Sequence, residues 1–458
     1  MSTFESFKSA FKGDIVTPSD VDYDKALKRW AKNAERPAKY VAFVKDAEDI
    51  KLALEFAKAE KLPIAIRGGG HNAAGASSKE GGLIIDLSRH LAGVTIDPVK
   101  KLGYAGGGAI WETVDKAAIE HGLATVGGTV NHVLTLGGGY GWLSGEHGLT
   151  IDNLVQATVV VANGTILTAN KTENSDLFWA IRGGGCNFGV VTEFVFQLHD
   201  QRRTVYAGTL IFPAALIKSV MQAANDWWDK GPSKKEAVAV VLTRGPPPER
   251  YPCVICSLFF NGSEEEGREI YKPFFDLNPV DHTSEIPYEN MNALMNHVVH
   301  PGQSVYLKGA KFSAIQPDQA TDVLEKIAEL TTDGNFRFAC ILEMVPTAVV
   351  NSVPGNATAM PNRTFQKNVL LMCLWDDNTP ENQKAGKEKV YIIGNLFTNF
   401  SEEKDLVKQG AYSNYVDEYL GNKHSALLFG DNYPKLQQLK RKYDPEVIFN
   451  TWFPIVPA

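Results

Sequence analysis

The chain has 458 residues, 44% of them hydrophobic and 22% charged, with a formal net charge of −7. Such a length accommodates two or three domains with large cores, and the interspersed charges, with no long basic run, exclude the electrostatic footprint of a nucleic-acid binder. No apolar run reaches the roughly 18 residues that span a membrane, and the N-terminal MSTFESFKSAFKGDIVTP lacks the basic and apolar regions of a secretory signal, so a cytoplasmic protein is expected.

The first elements follow from hydrophobic periodicity. YVAFV from Tyr40 reads as a strand, and Asp46 caps a helix whose Ile50, Leu52, Ala53, Leu54, Phe56 and Ala57 make an apolar stripe. PIAIRGGGH then returns as a second strand, completing a βαβ unit. GGLIIDLS and GVTIDP read as strands, residues 108–123 as a helix, and QATVVVANGTIL as a strand with an Asn-Gly hairpin signal. A helix SDLFWAIRGGG and a strand VVTEFVFQL follow. Beyond about residue 205, strand-like AVAVVLTR, CVICSLFF, FRFACILEMV and NVLLMCLW alternate with helical SVMQAANDWWD and AIQPDQATDVLEKIAEL, the pattern of an antiparallel sheet with covering helices. The five cysteines (Cys186, Cys253, Cys256, Cys340 and Cys373) are too scattered for a disulfide framework. CVIC at 253–256 has metal-ligand spacing, but it stands in an apolar strand without a second pair or nearby histidines, so core cysteines and no metal are expected.

Glycine is the strongest functional signal. Four clusters, RGGGH (67–71), AGGGAIW (105–111), GGTVNHVLTLGGGYGW (127–142) and RGGGCNFGVV (182–191), fall at turns within one region. Turns stripped of side chains present backbone N–H groups to an extended ligand, as a nest holds a pyrophosphate, and a dinucleotide is the natural candidate. No cluster gives GxGxxG opening a helix, and no Gly-Lys-Ser or Gly-Lys-Thr follows, so neither the Rossmann fingerprint nor the P-loop applies.

The runs IRGGGHNAAGASSKEGGLIIDLS, AGGGAIWETVDKAAIEHGLATVGG, LTLGGGYGWLSGEHGLTIDN and FWAIRGGGCNFGVVTEF resemble the FAD-binding domain of the vanillyl-alcohol oxidase (PCMH-type) flavoproteins. More narrowly they are similar to the berberine bridge enzyme-like branch, densely over residues 35–200 and again over 428–450. The resemblance implies an α+β fold: an FAD-binding domain of two α/β subdomains (1–205), a substrate domain with a helix-covered antiparallel sheet (206–404), and a tail returning to the first domain (405–458). It implies FAD joined through the ring nitrogen of His71 to the flavin 8α carbon. Arg67, Gly68, Gly69, Gly70, Asn72, Gly75, Gly127, Gly128, Thr129, Gly137, Gly138, Gly139, Gly141, Trp142, Gly148, Asn153, Gly189, Val190 and Val191 would line the cofactor.

The pattern also departs from the family. Val130 stands where many relatives carry a second flavin-linking cysteine, so a single attachment is expected. The stretch from Val130 to Gly137 is about four residues shorter than the family pattern, with Asn131 and His132 expected toward the flavin and Val133 where relatives admit oxygen. The tail motif FGDNYP resembles a segment whose Asn and Tyr lie beside the flavin, which makes Asn432 and Tyr433 the first picks for the site. Tyr412 stands behind them, and Glu343 is the carboxylate candidate for a base, whereas Arg363 reads as a solvated arginine. The implied activity is an FAD-dependent oxidase that removes a hydride from a small, aromatic or polycyclic alcohol or amine, in secondary metabolism, with molecular oxygen as acceptor and neither nucleic acid nor membrane as partner. Two other readings stay open: a flavoprotein that sequesters an apolar molecule without turnover, and a dehydrogenase using another electron acceptor.

Overall fold

The computed structural model describes residues 3–130, 136–245, 248–296, 299–312, 316–360, 363, 367–399, 412–415 and 422–458. Asn131, His132 and Val133 lie outside them. Asp14–Val16 (β1), Tyr40–Phe43 (β2), Ile64–Arg67 (β3) and Leu83–Asp86 (β4) form a sheet in the order β1-β2-β4-β3. Strands β2, β4 and β3 are parallel and β1 joins antiparallel. The helix Ala47–Ala59 links β2 to β3; the Asp46 side chain accepts from the Asp49 N–H, a cap worth about 1 kcal/mol. The βαβ unit expected from the sequence differs in one respect: β4 sits between β2 and β3. Its run LIID is buried at every position, which suits the centre of a parallel sheet covered on both faces.

The second sheet comprises Val94–Asp97 (β5), Leu102–Gly106 (β6), Leu154–Val160 (β8), Ile166–Asn170 (β9) and Val190–Gln197 (β10), antiparallel in the order β5-β6-β10-β8-β9. Leu123–Ala124 (β7) pairs with His199–Asp200 (β11) beside it. The Asn-Gly signal marks the β8–β9 hairpin, with Gly164 at φ 81°. The predicted helix 108–123 is shorter, Trp111–Ile119.

The third sheet has seven antiparallel strands: Thr204–Pro213 (β12), Glu236–Arg244 (β13), Pro252–Phe260 (β14), Val280–Pro287 (β15), Ser304–Phe312 (β16), Phe336–Met344 (β17) and Lys367–Trp375 (β18), in the order β15-β12-β14-β13-β17-β18-β16. Successive side chains of a strand point to opposite faces. Thus Phe336, Phe338, Cys340, Leu342 and Met344 pack with Val240 and Leu242 beneath the helices Ile217–Asp229, Pro317–Leu330 and Pro380–Asn399. Ala339, Ile341 and Glu343 face the other way, toward the first part of the chain. The same period disposes of CVIC: Cys253 and Cys256, three apart on a strand, point to opposite faces and both are buried. No group of metal-ligating side chains occurs among the described residues, and no helix among them is long and apolar enough to cross a membrane.

Two segments tie the parts together. The C-terminal helix Tyr433–Tyr443 packs on Ser175–Gly184, and its fully buried Lys440 Nζ bonds the carbonyls of Asn187 and Phe449 at 2.7 Å each. Near the N-terminus, residues 30–34 lie along the start of β16, with an isolated parallel bridge between Ala31 and Gln303.

Candidate active site

Between the glycine turns and the helix-free face of the seven-stranded sheet lies a cavity of about 2030 Å3, open solvent included. Glycines from all four sequence clusters line it: Gly68 from the first, Gly107 from the second, Gly128, Gly137 and Gly139 from the third, Gly185 and Gly189 from the fourth. At Gly137 the absence of a side chain is required, since a Cβ would come within 2.1 Å of the Asn414 Oδ1.

The first turn shows how the sequence builds the wall. Strand β3 ends at Arg67, whose guanidinium bonds the fully buried Asp86 of β4 at 2.9 Å. The chain then leaves the sheet through Gly68 to Gly70, the last at φ 70°, and delivers His71 to the cavity. The His71 ring stacks on Trp30 with centroids 4.1 Å apart and planes 16° from parallel. Asn72 accepts from the Ala76 N–H and closes the turn. Arg29, 3% exposed, donates to the Ser77 carbonyl at 2.8 and 3.1 Å, and burial together with neighbouring Arg67 lowers its pKa to about 10. Asp86 and Glu35 balance the two guanidiniums. The Ser77 Oγ and the Trp142 Nε1, both on residues lining the cavity, are buried without a hydrogen-bond partner among the described residues. Buried polar atoms are nearly always satisfied, so these await a polar occupant. An elongated dinucleotide fits this wall: bare backbone at four turns and buried polar side-chain atoms left for it to bond.

The opposite wall is apolar, with Val241, Ile341, Leu370, Met372 and Leu307 from the sheet and Met295 and Val299 from the β15–β16 connection. A compact polar cluster interrupts it. Glu343, 6% exposed, accepts at Oε1 from the Tyr415 hydroxyl at 2.8 Å, while the rest of its buried carboxylate lies beside Asn368, its cross-strand neighbour on β18. Burial raises its carboxyl to about 7, against the opposing hydrogen bonds from Tyr415 and Asn368. The Tyr412 oxygen accepts from the Gly139 N–H and from the Asn414 Nδ2, both at 2.6 Å, yet burial pushes its phenol up to about 12. Tyr415 meets Tyr412 edge-on, with centroids 5.0 Å apart.

Of the residues predicted from sequence, the structure brings Gly68, His71, Asn72, Gly128, Thr129, Gly137, Gly139, Trp142, Gly189, Val191, Glu343 and Tyr412 to the cavity. Others stand behind it. Arg67 is held by Asp86, and Gly69, Gly70 and Gly75 shape the turn rather than line it. Gly127 and Gly141 pack backbone to backbone, a Cβ on Gly141 falling 2.0 Å from the Gly127 carbonyl, and Gly138 packs near Tyr412 and Met360. Gly148 ends the short helix Ser144–His147, and Asn153 donates to the carbonyls of His147 and Leu149. Val190 belongs to the core under the first sheet.

Asn432 and Tyr433 are not at the cavity. The Asn432 Nδ2 donates to the Gly355 and Thr358 carbonyls, and Tyr433 begins the C-terminal helix stacked on Phe429. The Asn and Tyr that do line the cavity are Asn414 and Tyr415. Asn-Tyr occurs twice in the tail, at 414–415 and 432–433, and that repetition was the available signal. Arg363 is not solvated: 3% exposed, it forms a two-pronged pair with Asp152 at 2.8 Å per contact. Trp30, Ser77, Cys186 and Trp452 also line the cavity and had no sequence signature. Val130, where a second linking cysteine was looked for, lines it too.

Comparison with known proteins agrees with this geometry. Residues 38–170 match the FAD binding domain family, and residues 411–455, which include Tyr412, Asn414 and Tyr415, match the family described as berberine and berberine like. An FAD-linked oxidoreductase of Aspergillus terreus, pgmH, is 33% identical over 99% of this chain and 96% of its own. The chain belongs to the berberine-like FAD-linked oxidoreductases. Within this family the (R)-6-hydroxynicotine oxidase of Paenarthrobacter nicotinovorans is 34% identical over 48% of this chain and 50% of its own. Among solved structures, the 6-hydroxy-D-nicotine oxidase of Arthrobacter nicotinovorans superposes with a TM-score of 0.81 at 25% identity over 98% of both chains. The glucooligosaccharide oxidase of Acremonium strictum, with its 6-S-cysteinyl, 8α-N1-histidyl FAD, has the same fold, with a TM-score of 0.85 at 21% identity over the full length of both. This berberine-like enzyme is therefore an FAD-linked oxidoreductase, as the glycine turns and their resemblance led one to expect.

Proposed function

We propose that the enzyme is an oxidase of a small, flat, predominantly apolar alcohol or amine, with FAD attached covalently through His71 alone and dioxygen as the final acceptor. Bound FAD supplies the two-electron acceptor for a substrate hydride. The glycine turns and Ser77 would hold its dinucleotide part, and His71 its isoalloxazine end. A cysteine at Val130 is absent from the sequence, which leaves one attachment point.

The chain's own task is to orient the substrate and take its proton. Glu343 is the acceptor: its carboxylate receives the proton from the substrate hydroxyl or amine while Tyr415 fixes Oε1 and so aims it. A carboxyl raised to about 7 is a stronger base than an ordinary one and is half ionised near neutral pH. Tyr412, its oxygen locked by Gly139 and Asn414, forms the rigid floor beside the pair. The surrounding Val241, Ile341, Leu370 and Met372 exclude water and favour an aromatic body over a sugar.

The single observation behind the reading is one buried carboxylate, raised to about 7, at the cavity in an otherwise apolar wall. An oxygen-electrode screen of aromatic alcohols and amines tests it. Turnover with peroxide release that falls sharply in Glu343→Gln supports it; stoichiometric binding without oxygen uptake for every candidate defeats it.

A further inference from the structure

Trp30 lies outside every motif that suggested a cofactor, yet it touches the residue on which attachment depends. Its indole is 8% exposed and covers one face of His71, 4.1 Å between centroids. The indole is itself immobilised: its Nε1 donates to the Val299 carbonyl at 3.1 Å. Its backbone is clamped from both sides, the Trp30 N–H bonding the Gly70 carbonyl at 3.2 Å and the Gly302 N–H bonding the Trp30 carbonyl at 2.9 Å. The next residues extend the clamp to β16. Lys32 N–H bonds the Gln303 carbonyl at 2.8 Å, and the Asn33 side chain exchanges two hydrogen bonds with the Val305 backbone at 3.0 and 2.9 Å.

We propose that Trp30 is a positioning residue for flavin attachment, a plate braced against the connection between β15 and β16 that holds the plane of the His71 ring at the cavity. The proposal rests on the covalent reading of His71 given above. The torsion that turns an imidazole about its Cβ–Cγ bond is broad, so a histidine in a glycine turn has no intrinsic reason to present one edge. Face-to-face contact with a fixed indole holds the ring plane and leaves only the ring edges to react, which raises the effective concentration of the nucleophile. In the attachment step a ring nitrogen of His71 bonds the 8α carbon. The imidazole N–H and one 8α C–H are lost as protons, and the electron pair of that C–H passes into the flavin. Dioxygen then takes two electrons and two protons and leaves as hydrogen peroxide, so that one N–H and one C–H are exchanged for one C–N bond. Because the plate is set by Val299, Gly302 and Gln303, attachment follows docking of the seven-stranded sheet.

The test compares wild type, Trp30→Phe and Trp30→Leu as purified holoenzymes. Total flavin, acid-precipitable flavin and melting temperature are read for each, followed by the time course of attachment on adding FAD to riboflavin-starved protein. Trp30→Leu is expected to bind FAD but attach it at least about tenfold more slowly, the factor that corresponds to losing a well-placed ring pair. Trp30→Phe, which keeps a ring face and loses only the Val299 bond, is expected to attach at within about threefold of wild type. A folded Trp30→Leu that attaches at the wild-type rate overturns the proposal, as does a folded Trp30→Phe that is as slow as Leu. Should Trp30→Leu fail to fold, Trp30→Met, which keeps apolar bulk without a ring face, takes its place with the same expected slowing and the same overturning result. A wild type whose flavin is wholly released by acid removes the His71 reading instead, and the proposal with it.

Discussion

The Tyr415 hydroxyl meets Oε1 of Glu343 at 2.8 Å, inside a wall that is otherwise apolar, and this bond favours the ionised carboxylate against the burial that disfavours it. Burial raises the Glu343 carboxyl to about 7, and the Tyr415 bond works in the opposite direction by favouring the ionised form. As a base, Glu343 acts when deprotonated, so kcat/KM is expected to rise with pH through about 7 and level off above it. Glu343→Gln is expected to lower kcat by about 100- to 10,000-fold. Tyr415→Phe removes the opposing bond, so the acidic limb moves to higher pH. Steady-state oxygen consumption across pH 5 to about 9 reads all three.

Asp115 offers a stability test away from the chemistry. It lies on the helix Trp111–Ile119, fully buried, with Oδ2 accepting from the Asn292 Nδ2 at 2.8 Å and Oδ1 without a hydrogen-bond partner. Burial, with Glu289 and Glu112 nearby, raises its carboxyl from 3.8 to about 7. The folded state therefore binds the proton more tightly than the unfolded chain, and stability falls as pH climbs from about 4 through 7. Asp115→Asn is neutral throughout, so it should unfold at higher urea than wild type at pH 8, by roughly 2 to 4 kcal/mol, with the gain vanishing near pH 4.

The Arg363–Asp152 pair shows a different kind of buried charge. Side-chain exposures of 3% and 13% leave little water to compensate either partner, and Asp152 also accepts from the Leu149 N–H. Removing the guanidinium alone strands the carboxylate, so Arg363→Met is expected to cost about 3 to 5 kcal/mol. The double variant with Asp152→Asn should recover much of that loss. Urea midpoints of the two singles and the double form the cycle that measures the coupling.

What the sequence disclosed was governed by how local each signal is. The Asp46 cap, the β8–β9 hairpin and the glycine turns are contiguous, and a short stretch carries all the information they need. Insertion of β4 between β2 and β3 is a pairing choice made across the chain, and no local pattern states it. The same holds for Trp30, whose partners are His71 and Val299, far away in sequence. The Asn-Tyr choice failed for a related reason: both copies are locally equivalent, and only the fold puts 414–415 against Gly137 and Glu343 while 432–433 caps a helix on the far side. Accordingly Tyr433→Phe is expected to change kcat by less than about twofold, whereas Tyr415→Phe slows turnover by at least about tenfold near pH 7. Equal losses in the two would mean that the helix start is coupled to the chemistry.

His199 and His147 stack with centroids 3.8 Å apart and planes 4° from parallel, where β11 meets the short helix Ser144–His147. Asn153 spends its Nδ2 on the His147 and Leu149 carbonyls, so its Oδ1 accepts and the His199 Nε2 carries the proton of the 2.6 Å bond. Burial, then the charge that His147 would carry, then Lys101 lower the His199 pKa to about 4; Asp200 and Glu146 oppose them without prevailing. Burial and Lys234 lower His147 as well. For a depressed histidine the unfolded chain binds the proton more tightly, so stability is complete above the ordinary histidine value and declines as pH falls toward about 4. The His199 contribution is therefore lost from about pH 6.5 downward, opposite in sign to that of Asp115, so it is read as the difference in melting temperature between wild type and a non-titrating variant across that range. His199→Gln keeps a donor toward Asn153 and removes the titration, and its melting temperature should fall less over the same range. An identical decline in both would assign the acid sensitivity to the carboxylate network instead.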